Sequence, residues 1–143
     1  MMETEYILAR KVLQLANLIL QNRNQDLKKL GLTAEQADTL LYFSKHHGGY
    51  VVDLKSHLGI THQTARGIVA RMVEKGLLTT LVSVQDSRYK QVFLTEKGKE
   101  LCVLMEQNGT YTGKKLLHGM NQVESRQFLN AITQALENLS FDK

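Results

Sequence analysis

The first apolar pattern in the chain is helical. Ile7, Leu8, Val12, Leu15, Ala16, Leu18 and Ile19 recur at three- and four-residue steps, which predicts a helix over residues 3–25. Tyr6, Leu13 and Leu20 widen its apolar arc beyond one stripe. A helix apolar on more than one side needs more than one neighbour, which points to a partner subunit. A second helix opens at Thr33, with Gln36 three residues on in a capping-box pattern. Ala37, Leu40, Leu41 and Phe43 supply its inner face, and His46-His47-Gly48-Gly49 ends it. A short helix follows over residues 51–58, with Leu54 and Leu58 turned inward. Gly59-Ile60 makes a tight turn, and Thr61 caps a helix over residues 62–75. Two helices joined by so short a glycine-containing turn form a helix-turn-helix.

The helix at 62–75 separates into two faces. Ala65, Ile68, Val69 and Met72 cluster on one side, while Gln63, Arg66, Gly67, Ala70 and Glu74 lie opposite, with Arg71 beside them. A solvated face normally carries long polar residues, and glycine inside a helix costs roughly 1 kcal/mol against alanine. Small residues flanked by Gln and Arg let a large object come close, and the major groove of DNA is such an object.

Beyond Lys75-Gly76 the period changes. LLTTLVSV at 77–84 and YKQVFLT at 89–95 are rich in β-branched and aromatic residues and too short for helices. Gln85-Asp86-Ser87-Arg88 between them favours a turn, so a β-hairpin follows the helix-turn-helix. Thr95-Glu96-Lys97-Gly98 caps a further helix with Leu101, Leu104 and Met105 as its apolar positions. Asn108-Gly109 and Gly113 interrupt that pattern and predict a break, a kink or a close helix contact. Asn121 with Glu124 caps a last helix, 122–139, built on Val123, Phe128, Ile132, Ala135 and Leu139.

Composition narrows the class. The 143 residues are 43% hydrophobic and 22% charged, which suits one folded domain. No apolar run approaches the ~20 residues of a membrane span, and the sequence MMETEYILARKV has no signal-peptide pattern. Cys102 is the only cysteine, so neither an intrachain disulfide nor a cysteine zinc cluster is available. These features predict a soluble, cytoplasmic protein. The net charge is +4, and residues 61–99 hold seven basic residues against three acidic, so the whole excess lies there. A localised basic segment is the electrostatic footprint of a nucleic-acid binder.

In this order of elements the chain resembles the MarR (multiple antibiotic resistance regulator) family of winged helix-turn-helix transcription factors. The residues that carry the resemblance are LGITHQTARGIVARMVEKGLL at 58–78, Asp86-Ser87-Arg88 in the hairpin, and LTEKGKEL at 94–101. It implies a mainly α fold with a small β-hairpin wing, a DNA-binding lobe over residues 31–98, and dimerisation helices at 1–25 and 99–143, all in a single domain. It further implies a homodimer on double-stranded DNA at a pseudo-palindromic operator, with helix 62–75 in the major groove and the wing along the minor groove. Thr61, His62, Gln63, Thr64, Arg66 and Arg71 become the candidates for phosphate and base contacts. Arg88 would enter the minor groove, with Lys90 behind it. Asp86 would accept hydrogen bonds from turn N–H groups or from Arg88, and so brace the wing. Relatives often carry a basic residue near Thr80 and an acid near Ser83; both are neutral here, which shifts the wing's work onto Arg88 and Lys90. Effectors of relatives bind between the dimerisation helices and the DNA-binding lobe, and by position Tyr42, His46, His47 and Tyr111 would line such a pocket.

Other chemistries find little support. Cys102 follows Leu101 on an apolar stretch and reads as packing. Of the five histidines only His46 and His47 are adjacent, without metal-ligand spacing, and adjacent histidines at a helix end meet its terminal carbonyls. Gly109 to Lys115 has the wrong spacing for a phosphate loop. No paired carboxylates, Ser-His-Asp set or cofactor loop suggests an enzyme, and no cofactor is expected. A winged helix used for protein contacts is the remaining alternative, suggested by the neutral Thr80 and Ser83.

Overall fold

The computed structural model describes residues 2–86 and 88–141, the last of these by its backbone only. Ser87, in the expected turn, lies outside them. The elements run α1 (Thr4–Lys29), α2 (Ala34–Lys45), β1 (Gly49–Tyr50), α3 (Val51–Leu58), α4 (His62–Glu74), β2 (Leu78–Val82), β3 (Lys90–Leu94), α5 (Glu96–Leu116) and α6 (Gln122–Phe141). The fold is mainly helical with one small antiparallel sheet, as the sequence pattern predicts. Two compact units divide the chain, Met1–Gly109 and Thr110–Lys143, and each is described by itself.

The first unit holds the core. Phe43, Leu40, Leu54, Met72, Leu78 and Val92 are fully buried, so α2, α3, α4 and both hairpin strands share one interior. Leu27 is the buried residue of α1, which runs past residue 25 to Lys29. Helix-forming Gln25, Asp26, Leu27, Lys28 and Lys29 carry it on, and the positive φ of Gly31 follows its end. Arg23 pairs with Asp38 at 2.6 Å, holding α1 to α2.

Polar caps set the other boundaries. Thr33 and Gln36 form the reciprocal capping box at α2. Gly59, at φ 66°, makes the left-handed turn out of α3 that a side chain would resist. The Thr61 hydroxyl accepts from the Thr64 N–H at 3.1 Å and starts α4. At the far end of α4, Lys75 Nζ donates to the Gly31 carbonyl at 2.6 Å and to Gln36 Oε1 at 3.1 Å, fastening that helix to the α1–α2 turn. The Thr95 hydroxyl accepts from the Gly98 N–H at 3.1 Å and donates to the Gly76 carbonyl at 2.6 Å. A Cβ at Gly98 would collide with the Leu77 carbonyl oxygen, so only glycine lets α5 start against that backbone.

The sheet has the order β1-β3-β2. Leu78 pairs with Leu94, Thr80 with Val92 and Val82 with Lys90 across the hairpin. The two-residue β1 adds Gly49 to Val92 and Tyr50 to Gln91. The expected break near Asn108, Gly109 and Gly113 does not occur. All three lie inside α5, and a Cβ at either glycine would meet nothing within 4 Å among the described residues. A glycine's propensity cost is small beside the gain from a helix this long. In the second unit, Asn121 and Glu124 cap α6 reciprocally at 2.8 and 2.9 Å.

Candidate nucleic-acid interface

The amphipathic pattern of α4 decides which residues are available. Ala65, Ile68, Val69 and Met72 are buried in the core. The same twist therefore leaves His62, Gln63, Thr64, Arg66, Ala70, Arg71 and Glu74 exposed, with Gly67 half-buried among them. Around Gly67 the nearest neighbour of an added Cβ is the Arg71 guanidinium at 3.9 Å, so the surface there is low and open. Thr61, also exposed, holds the first turn through Thr64; the two hydroxyls are 2.8 Å apart.

Between this face and the hairpin runs an open groove of about 940 Å³. Val51, Val52 and Lys55 of α3 form part of its wall. His62, Gln63, Arg66, Gly67, Val69, Ala70 and Val73 of α4 form another, and Thr80, Arg88, Tyr89 and Lys90 of the hairpin complete it. Its formally charged residues are Lys55, Arg66, Arg88 and Lys90, all basic; no Asp or Glu lines it among the described residues. A concave wall of one sign concentrates potential and attracts a polyanion.

The hairpin tip is locally braced. Asp86 Oδ1 accepts from the Arg88 backbone N–H at 3.0 Å and from its Nε at 3.0 Å, and Asp86 Oδ2 accepts from Nη2 at 2.7 Å. Both alternatives expected for Asp86 are thus realised together. These bonds hold its carboxyl below the usual carboxylate range, the Arg88 side chain contributing most and its backbone N–H next. The Arg88 side chain stays 80% exposed, and its guanidinium lies 5.8 Å from the centre of the Tyr89 ring.

Residues 30–88 match the sequence profile of the MarR family. Over that stretch, the helix-turn-helix and the start of the hairpin, the chain is similar to the MarR family. A mutant of S. aureus MepR, solved bound to an oligodeoxyribonucleotide, is 26% identical, with 96% of this chain and 99% of that one covered at a TM-score of 0.72. MarR of E. coli in its apo form is 23% identical over 90% of this chain and 96% of its own, with a TM-score of 0.77. The YusO protein of Bacillus subtilis shares 16% identity yet superposes at 0.80 over 95% and 99% of the two chains. The last two show the winged helix-turn-helix fold alone.

Of the nine residues that the MarR resemblance singles out for DNA, the groove gathers His62, Gln63, Arg66, Arg88 and Lys90. Thr61, Thr64 and Arg71 are exposed on α4 or at its cap, outside the groove lining, and Asp86 bonds Arg88 without lining the groove itself. Lys55 is the basic residue that the sequence reading missed. It is exposed on α3 next to the buried Leu54, and nothing local sets it apart from other surface lysines.

The four effector candidates are placed in two groups. Tyr42 stacks on His46 with ring centres 4.2 Å apart, and His46 Nδ1 lies 2.9 Å from the Tyr42 carbonyl oxygen. That contact gives His46 the helix-terminal role its position predicts. His57 also packs on Tyr42, at 4.7 Å, and His47 is exposed just beyond α2. Desolvation, and secondarily the nearby Asp53 carboxylate, push the Tyr42 hydroxyl above its ordinary value. Tyr111 belongs to the second unit, where Lys115 Nζ lies 5.4 Å from its ring centre. Cys102 packs against the core with its Sγ 3.8 Å from the Leu40 carbonyl, and burial pushes its thiol up. Among the described residues no group of three His, Cys, Asp or Glu side chains could hold a metal ion.

Proposed function

We propose that this chain is a MarR-family regulator: dimeric, sequence-specific in binding DNA, repressing transcription from a pseudo-palindromic operator and responding to a small ligand. The observation that carries the reading is the groove between α4 and the hairpin, whose charges are four basic residues with no acid among the described lining. In this reading α4 enters the major groove, where Gln63 suits adenine and Arg66 suits guanine, with Thr61, His62, Thr64 and Arg71 on phosphates or neighbouring base edges. Arg88 enters the minor groove, Asp86 holds its orientation, and Lys55 and Lys90 meet the phosphates that pass between. The MepR mutant solved on DNA supports this placement by likeness.

The dimer is supported by apolar surface with no partner inside each unit. Tyr6, Leu8, Leu13, Leu18 and Leu20 are exposed along α1, and Val123, Leu129, Leu136 and Leu139 along α6. So much exposed apolar surface marks an association face. An effector near Tyr42, His46 and His47 would act by changing the spacing of the two recognition helices. No helix of the described residues is long and apolar enough to cross a membrane, and the reading places the protein in the cytoplasm with its DNA.

Sequencing of genomic DNA captured by the purified protein, with and without small aromatic acids, tests the proposal. The expected product is an enriched inverted repeat whose half-sites lie about one helical turn apart. Recovery of unenriched DNA would refute sequence specificity. A repeat recovered equally with every acid would remove the ligand response for that class.

A further inference from the structure

We propose that Ser83 and Tyr50 are positioning residues that fix the wing against the helix-turn-helix, and so aim Arg88. The inference rests on the DNA-binding reading above. Ser83 is the buried polar residue of the hairpin, 6% exposed. Its hydroxyl oxygen lies 3.2 Å from the Gln85 backbone N and 3.4 Å from that of Asp86, positioned to accept from both. It also lies 3.4 Å from the Tyr50 hydroxyl. A serine hydroxyl has two lone pairs and one proton, so two accepted bonds and one donated to Tyr50 use it fully. The Ser83 N–H meanwhile donates to the Tyr89 carbonyl at 2.8 Å, closing the hairpin above the ladder.

Tyr50 is anchored on the body of the domain. Its backbone pairs with Gln91, its N–H donates to Asp53 Oδ2 at 3.2 Å, and α3 begins at the next residue. Its ring packs 5.8 Å from that of Tyr89. Two separate devices therefore hold Arg88. Asp86 fixes the guanidinium within the turn, and Ser83 with Tyr50 fixes the turn on the domain. Without the second, the braced Arg88 swings as a unit, and DNA must bind a less ordered wing.

The test measures affinity for the captured inverted repeat. Ser83→Ala and Tyr50→Phe should each weaken binding roughly three- to tenfold, the worth of a hydrogen bond or two. Ser83→Thr, which keeps the hydroxyl, should restore affinity. In an Arg88→Ala background, Ser83→Ala and Tyr50→Phe should have little further effect, because nothing remains to be aimed. Tyr50→Phe leaves the hairpin sequence intact and serves if Ser83→Ala fails to fold. Equal losses with and without Arg88 would overturn the positioning role, as would wild-type affinity in both single variants. Wild-type affinity in Arg88→Ala itself would overturn the wing reading, and this inference with it.

Discussion

Gly67 occupies the outward face of α4 between Arg66 and Ile68, where space for a side chain is open. Alanine there would improve the helix by about 1 kcal/mol, since no neighbour lies closer than 3.9 Å to the added carbon. It would also raise the surface proposed to meet DNA. Gly67→Ala should thus raise the thermal midpoint by several degrees and weaken operator binding, checked by melting and anisotropy on one preparation. A variant that gains stability and keeps full affinity would remove the close approach at this position. The signal was legible in the sequence, because glycine amid Gln63, Arg66 and Arg71 breaks the rule for a solvated helix face. Lys55 and Ser83 gave no comparable signal. One is an ordinary surface lysine until the hairpin folds beside it, and the other reads as a missing charge until Tyr50 arrives from 33 residues away.

Caps define the elements, and the wing depends on one of them and on the Asp86–Arg88 brace. The Thr95 hydroxyl both caps α5 and holds the Gly76 carbonyl beyond the end of α4. Thr95→Val keeps the shape and loses both bonds. It should destabilise the protein by about 1–3 kcal/mol in denaturant melts, and a change within error would show that the cap is dispensable. The Asp86–Arg88 brace has a defined acid limit. The Asp86 carboxyl lies below its ordinary value when folded, so the contact is complete above the normal carboxylate range and is lost as pH falls through the depressed value. The Arg88 amide resonance should be flat from pH 8 to 5 and move only in stronger acid. A midpoint at or above the ordinary carboxylate value would contradict the brace. Thr33, Thr61, Thr95 and Asn121 all announced their helices, because a cap is a local bond between near neighbours. The strand β1 could not be read that way. Gly49 and Tyr50 are extended because Val92 and Gln91 lie beside them, and two residues have no period. The glycines of α5 do not break it, since a weak local preference yields to a long helix.

At the scale of the molecule, the surface divides by chemistry. The groove of α3, α4 and the wing is basic, whereas the exposed faces of α1 and α6 carry large apolar side chains. The charge excess of residues 61–99 foreshadowed the first, and the wide apolar arc of residues 3–25 the second. The relative shift that a ligand would cause was not legible, because it depends on contacts between elements far apart in sequence. Leu13 is 54% exposed, so Leu13→Glu leaves the core untouched. It should convert a dimer to a folded monomer in sedimentation velocity and abolish tight operator binding; an unchanged dimer would move the interface away from this face. Most direct of all is the salt dependence of binding to the captured inverted repeat. With Lys55, Arg66, Arg88 and Lys90 in the groove of each copy of the proposed dimer, log affinity should fall steeply and linearly with log salt, by roughly 0.9 per phosphate neutralised. Arg88→Ala should flatten that slope by about one unit per subunit. A shallow slope, unchanged when Arg88 is removed, would contradict DNA binding through this groove.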